Sequence, residues 1–152
     1  MRPKPLDPDE MRLWQAFLQA ALLATQSLDR ALAEHELTLD DYETLVFLSA
    51  EPERRLAMSD LAARTLSPKS RLTYRVDRLE AAGYVERVRC RDDARRVWAT
   101  LTPRGFALLR TAWPTHLESV RKYVVDPVFH KDLPAATRAL ERMVEALRAD
   151  ES

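Results

Sequence analysis

Scarcity is the first feature of this 152-residue chain: one cysteine, two glycines, three histidines and a formal net charge of +0. The single thiol, Cys90, excludes an internal disulfide and fits a reducing compartment. His35, His116 and His130 are scattered without ligand spacing, so no metal and no other cofactor is expected. Two glycines exclude a glycine-rich phosphate loop, and HExxH, GxSxG and CxxC patterns are missing as well, which leaves enzyme function without support. No segment approaches the roughly 18 uncharged apolar residues of a membrane span. The opening Met1-Arg2-Pro3-Lys4-Pro5 runs into Asp7, Asp9 and Glu10 rather than into an apolar core, so no signal peptide is expected. With 46% hydrophobic and 32% charged residues, the expectation is one compact, soluble, cytoplasmic domain with a real core.

The neutral total conceals a partition. Residues 1–63 hold six Lys/Arg against twelve Asp/Glu, residues 64–104 eleven against five, and residues 105–152 seven against seven. A basic middle therefore sits between an acidic and a neutral flank, and a local positive patch is what attracts phosphates.

Periodicity supplies the elements. Trp14, Phe17, Leu18, Ala21, Leu22, Thr25, Leu28 and Leu32 recur at helical spacing between Pro8 and about His35, with no charge between Leu13 and Leu28. A helix apolar over so much of its circumference is expected to be buried on more than one side, with another subunit as a candidate cover. Leu37 to Asp41 caps a second helix with Tyr42, Leu45, Val46, Leu48 and Ala50 inward. Leu56-Ala57-Met58 is a candidate short strand, and Ser59 is expected to cap a third helix. Ser67-Pro68 reads as a cap plus a proline at the first helical position, opening a fourth helix that Gly83 stops. Tyr84 to Cys90 and Arg96 to Thr102 read as a hairpin. Thr102-Pro103 opens a long helix that Pro114 is expected to bend, and a last helix runs from about Leu133 to Ala149.

On the fourth helix Leu72, Val76 and Leu79 form one inward stripe, while Ser70, Arg71, Tyr74, Asp77 and Arg78 fall opposite, with Thr73 and Arg75 on the flanks. Cations and donors near such a helix N-terminus suit base edges in a major groove. A solvated face with Asp77 and Glu80 balancing the arginines is the plainer reading of an isolated helix. The short helix just before it favours a helix-turn-helix instead. In the hairpin, alternation puts Arg87, Arg89 and Arg91 on one face and Val88 and Cys90 on the other. The tip, Arg91 to Arg96, holds three arginines and two aspartates. Arginine at a narrow tip can enter a minor groove, and Asp93 is placed to hold Arg95.

Leu61-Ala62, Thr73, Val76-Asp77-Arg78-Leu79-Glu80, Gly83-Tyr84-Val85-Glu86-Arg87, Asp93-x-Arg95 and Leu101-Thr102 followed by Gly105 resemble the multiple-antibiotic-resistance regulator (MarR) family over about residues 56–106. The resemblance implies a mainly α (α+β) winged helix-turn-helix with N- and C-terminal dimerisation helices. The division would be 1–35 for dimerisation, 36–104 for the DNA-binding lobe and 105–152 for dimerisation. It implies a homodimeric transcription regulator on a palindromic operator in double-stranded DNA, usually a repressor. Carried over, Ser67, Lys69, Ser70, Arg71, Thr73, Tyr74, Arg75 and Arg78 would read the major groove, with Asp93, Arg95 and Arg96 on the wing. Many relatives carry arginine just after the threonine, where this chain has Tyr74, so the operator cannot be borrowed.

The family's usual effector is a small aromatic or phenolic anion bound between the DNA-reading lobe and the dimer helices. Candidate pocket residues are Trp14, Phe17, Tyr42, Trp113 and His116, each also plain core or interface by type. Two alternatives remain open from the residues: a winged-helix protein-interaction module using the basic face, and a redox-responsive regulator acting through Cys90 between Arg89 and Arg91.

Overall fold

The computed structural model describes residues 4–90 and 96–150. Helix α1 (Pro8–Leu32) starts at a capping box: Asp7 Oδ1 accepts the N–H groups of Asp9 and Glu10 at 2.9 Å, and Glu10 Oε2 accepts that of Asp7 at 2.8 Å. A short 3₁₀ turn (Ala33–His35) ends with Glu36 at φ 58°, and α2 (Leu39–Ser49) begins at a second reciprocal box between Thr38 and Asp41. β1 (Arg55–Ala57) leads directly into α3 (Met58–Arg64), followed by α4 (Lys69–Ala81), β2 (Val85–Arg89), β3 (Val97–Leu101), α5 (Pro103–Val120) and α6 (Leu133–Ala149). The architecture is mainly helical with one three-stranded antiparallel sheet in the order β1-β3-β2, a winged helix.

The core lies where α2, α3 and α4 meet the sheet and the first half of α5. Leu32, Tyr42, Leu45, Leu48, Leu61, Leu72, Val76, Val85, Ala99 and Ala112 are all buried there. Two backbone devices fix the wing to it. After α4, Gly83 at φ 77° closes a Schellman motif, with Gly83 N–H bonded to Glu80 O and Tyr84 N–H to Leu79 O, both at 2.9 Å. Thr102 Oγ1 donates to Gly83 O at 2.8 Å and accepts the Gly105 N–H at 3.0 Å, so the cap of α5 also ties down the end of α4. Gly105 itself is packed so closely that a Cβ would fall on the Tyr84 carbonyl oxygen and within 2.8 Å of Leu101 Cδ1.

Several sequence expectations need correction. β1 ends at Ala57, and Ala57 rather than Ser59 occupies the cap of α3. α4 begins at Lys69 with Pro68 as its cap residue and no side-chain cap bond, so Ser67 does not cap it. The turn between them passes through Leu66 at φ 49°, and Ser67 is thereby turned inward. The end of α5 also departs from a plain α-helix, passing after Val120 into a π-helical turn over Arg121–Val125. Within one chain α1 buries only Leu28 and Leu32 and leaves Leu13, Trp14, Leu18, Leu22 and Leu23 exposed, so the second cover expected for it is not supplied by the chain itself. α6 has no buried residue at all.

Candidate nucleic-acid interface

The site is built on α4, and what matters first is how that helix is held. Leu72, Val76 and Leu79 bury one stripe, as their spacing predicts. Two arginines then anchor it to the start of α2. Arg75 Nη2 donates to Asp40 Oδ2 at 2.5 Å, and its Nη1 reaches Ser67 Oγ at 3.3 Å and Thr44 Oγ1 at 3.4 Å. Its side chain is only 5% exposed. Arg78 pairs through Nη2 with both carboxylate oxygens of Asp41, a residue that is 1% exposed. Asp41 also caps α2, and Asp29 Oδ1 on α1 accepts the Leu39 N–H at 2.6 Å. A polar line thus runs from α1 through the first turn of α2 to α4.

This line divides the sequence-derived reading set. Lys69, Ser70, Arg71, Thr73 and Tyr74 form a contiguous exposed face, with Tyr74 71% exposed. Arg75 is corrected: it is buried on the core side and offers no donor to a groove, while Ser67 is half-buried and accepts from Arg75 at 3.3 Å. Arg78 lies between the two roles, half exposed but committed to Asp41. Thr73 Oγ1 donates to Lys69 O at 2.9 Å, leaving its lone pairs outward.

In the wing, the alternation is right but its faces carry different jobs from those expected. Val85 is buried, so Arg87, two residues on, points the same way, back over α4. There Arg87 donates to Glu80 Oε2 from Nε and Nη2 at 2.9 and 2.6 Å and pairs with Asp77 Oδ1 at 2.5 Å. The hydrogen bonds from Arg87 hold the Glu80 carboxyl below its usual range and raise the guanidinium in turn. Arg87 is a clasp between wing and helix, the balancing role that the plainer reading gave to Asp77 and Glu80. Val88 stands exposed on the opposite face of the strand. Arg96 is exposed at the turn end of the hairpin, just before β3, while Asp93 and Arg95 lie outside the described residues.

The effector candidates do not converge. Trp14 and Phe17 stack on each other at 6.5 Å on α1, facing α6. Tyr42 and His116 stack at 4.2 Å between α2 and α5, each with an unpartnered buried polar atom, and Trp113 is exposed. Burial pushes the Tyr42 phenol up to about 12 and lowers His116 below the ordinary histidine value.

The arrangement matches known proteins closely. The model of the MarR family fits residues 35–96. AbsC, a MarR family transcriptional regulator from Streptomyces coelicolor, superposes with a TM-score of 0.92 at 37% identity, over 97% of this chain and 99% of AbsC. This chain belongs to the MarR family. Sco3205, a MarR family transcriptional regulator from the same organism solved in complex with DNA, superposes with a TM-score of 0.94 at 33% identity, over 99% of this chain and 95% of that one. The curated regulator PecS of Dickeya dadantii is 29% identical over 141 residues, 92% of this chain and 84% of PecS. As a MarR-family winged helix, the protein is a DNA-binding transcriptional regulator and not an enzyme. Among the described residues, no helix is long and apolar enough to cross a membrane.

Proposed function

We propose that the protein is a cytoplasmic homodimeric repressor that reads a palindromic operator and releases it when a small aromatic or phenolic effector binds. The observation that carries the DNA half is the outer face of α4. Lys69, Ser70, Arg71, Thr73 and Tyr74 stand out from a helix whose other side Arg75 and Arg78 fix to α2. Arg71 and Lys69 offer donors to guanine edges or phosphates, and Tyr74 offers a ring to thymine methyls. On the wing, Arg95, aimed by Asp93, takes the minor groove beside Arg96.

Residues 1–35 and 105–152 form the dimer around the lobe at 36–104. Support comes from apolar side chains that a single chain leaves uncovered: Leu13, Trp14, Leu18 and Leu22 on α1, and Leu140, Val144 and Leu147 on α6. The effector half draws on an apolar hollow of about 530 Å³ between α1 and α6, walled by Trp14, Phe17, Leu13, Met143 and Leu147, a volume suited to a small molecule. Tyr42, Trp113 and His116 lie elsewhere and take no part in it.

Selecting genomic fragments with the purified protein tests both halves. Enrichment of a palindrome, then its release by small aromatic acids, is the expected result. Fragments without a palindrome would favour the protein-interaction module. Arg95→Ala is expected to weaken binding to the selected operator by about 1–3 kcal/mol with the fold intact.

A further inference from the structure

The flank of α4 and the turn end of the wing face each other across a hollow of the DNA-reading lobe. Between the start of α3, the flank of α4 and the β2–β3 hairpin lies an open trough of about 430 Å³, lined by Ser59, Thr73, Arg87, Arg96 and Val97 together with Ala57 and Met58. A smaller hollow of about 220 Å³ shares Met58, Ser59 and Thr73 and extends to Lys69. Arg87 brings little net charge there, because Asp77 and Glu80 already hold it. Arg96 differs: its one ion pair among the described residues is with Asp60 at 3.8 Å, both side chains being about half exposed. The Ser59 hydroxyl is similarly uncommitted, its contact with Asp60 Oδ1 being 3.5 Å.

An aromatic ring fixes Arg96 in place. Its Cζ lies 4.5 Å from the centroid of Trp98, and Arg55 Cζ lies 4.9 Å from the same ring. β1 ends at Ala57, opposite Trp98, so the chain turns into α3 beside the ring and brings Ser59 and Asp60 towards Arg96. Arg55 is already paired with Glu53, so of the two guanidinium groups on the ring Arg96, with only Asp60 at 3.8 Å, is the one with charge to offer an anion. We infer that Trp98 is a positioning residue for DNA: it holds Arg96 at the trough so that the guanidinium meets a backbone phosphate, with Ser59 as a second donor. The inference rests on the DNA-binding reading above and adds a phosphate seat between the major-groove helix and the minor-groove wing.

The test is fluorescence anisotropy of the full-length protein with a labelled duplex of mixed sequence, titrated over a range of salt. Arg96→Ala should lower the slope of log affinity against log salt by about one. Trp98→Leu should lower it in the same way, with an affinity loss of about two- to fivefold. Trp98→Phe, which keeps a ring, should recover most of that loss. Adding Trp98→Leu to Arg96→Ala should cost nothing more, because the ring acts through the arginine. A merely structural tryptophan would instead weaken both backgrounds by the same factor, and that result overturns the inference. So does a wild-type salt slope in Trp98→Leu, or, where that variant does not fold, no effect of Arg96→Ala on the slope. Wild-type protein with no salt-dependent duplex binding would overturn the DNA-binding reading as well.

Discussion

Arg78 is half exposed and Arg75 is buried, yet removing the charge of Arg78 should cost the protein more. The substitutions that separate charge from packing are Arg75→Met and Arg78→Met, since methionine keeps most of the unbranched stem. Without the Arg75 guanidinium, no partner is stranded. Asp40 is 59% exposed and returns to water, Thr44 Oγ1 still donates to Asp40 O at 2.8 Å, and Ser67 Oγ still donates to Thr65 O at 3.2 Å. Replacing a buried charge under those conditions is near neutral, so Arg75→Met should lie within about 1 kcal/mol of wild type. Without Arg78, the carboxylate of Asp41 keeps only the Thr38 N–H at 2.9 Å in a site where it is 1% exposed. An uncompensated buried carboxylate costs about 3–5 kcal/mol, reduced here to about 2–4 because the arginine end of the pair is open to solvent. Urea unfolding followed by circular dichroism, at fixed protomer concentration, gives both numbers from the shift in midpoint at constant slope. Adding Asp41→Asn to Arg78→Met should restore at least half of the loss, because the amide still accepts the Thr38 N–H and carries no charge. If Arg75→Met proved the more damaging change, or if Asp41→Asn restored nothing, stranding would not be what governs these pairs.

Gly105→Ala should destabilise by about 3 kcal/mol in the same urea assay, since the added methyl must displace the Tyr84 backbone carbonyl as well as the Leu101 side chain; a change below about 0.5 kcal/mol would mean that the wing yields freely. Leu18→Glu on the exposed apolar side of α1 should convert a dimer into a monomer by light scattering, and a monomeric wild type would remove the basis for that reading. Stability should fall as pH drops below about 6.5, because burial lowers the His116 pKa in the folded state and the unfolded chain then binds more protons throughout that window. His116→Phe, which keeps the stack on Tyr42, should flatten this part of the pH profile; an unchanged slope would assign it to another group.

Local rules of chain geometry were legible in the sequence, and the long-range bonds were not. Thr38, Gly83 and Thr102-Pro103 mark helix ends because each acts on backbone groups within four residues, and the structure shows all three in those roles. Ser67-Pro68 has the same local signature but is overruled by Arg75, whose other partners, Asp40 and Thr44, lie 35 and 31 residues away. Helical spacing could have given a hint: Arg75 adjoins Val76 and falls three residues after Leu72 and four before Leu79, at the edge of the buried stripe. The unequal faces of β2 follow from Val85, whose burial sets the parity for Arg87. The effector set scattered because Trp14, Phe17, Tyr42, Trp113 and His116 were grouped by ring type, and type says nothing about which cavity a ring lines.

The paired charges also change what the basic middle of the sequence means. Its excess of six positive charges over residues 64–104 is not spread evenly over the lobe. Arg64 pairs with Glu51, Arg75 with Asp40 and Arg78 with Asp41 from the acidic first part of the chain, and Arg87 with Asp77 and Glu80 of the segment itself, so four of its cations are already compensated. Lys69 and Arg71 have no ion pair among the described residues, and both stand on the first turn of α4 beside Tyr74. Charge neutralised on the inner side of the helix sharpens the field on its outer side, because a phosphate approaching Lys69 and Arg71 meets cations with no nearby carboxylate to compensate them. The acidic residues of α2 therefore act twice: Asp40 and Asp41 fix the helix in place, and they leave its uncompensated charge at the end proposed to enter the groove.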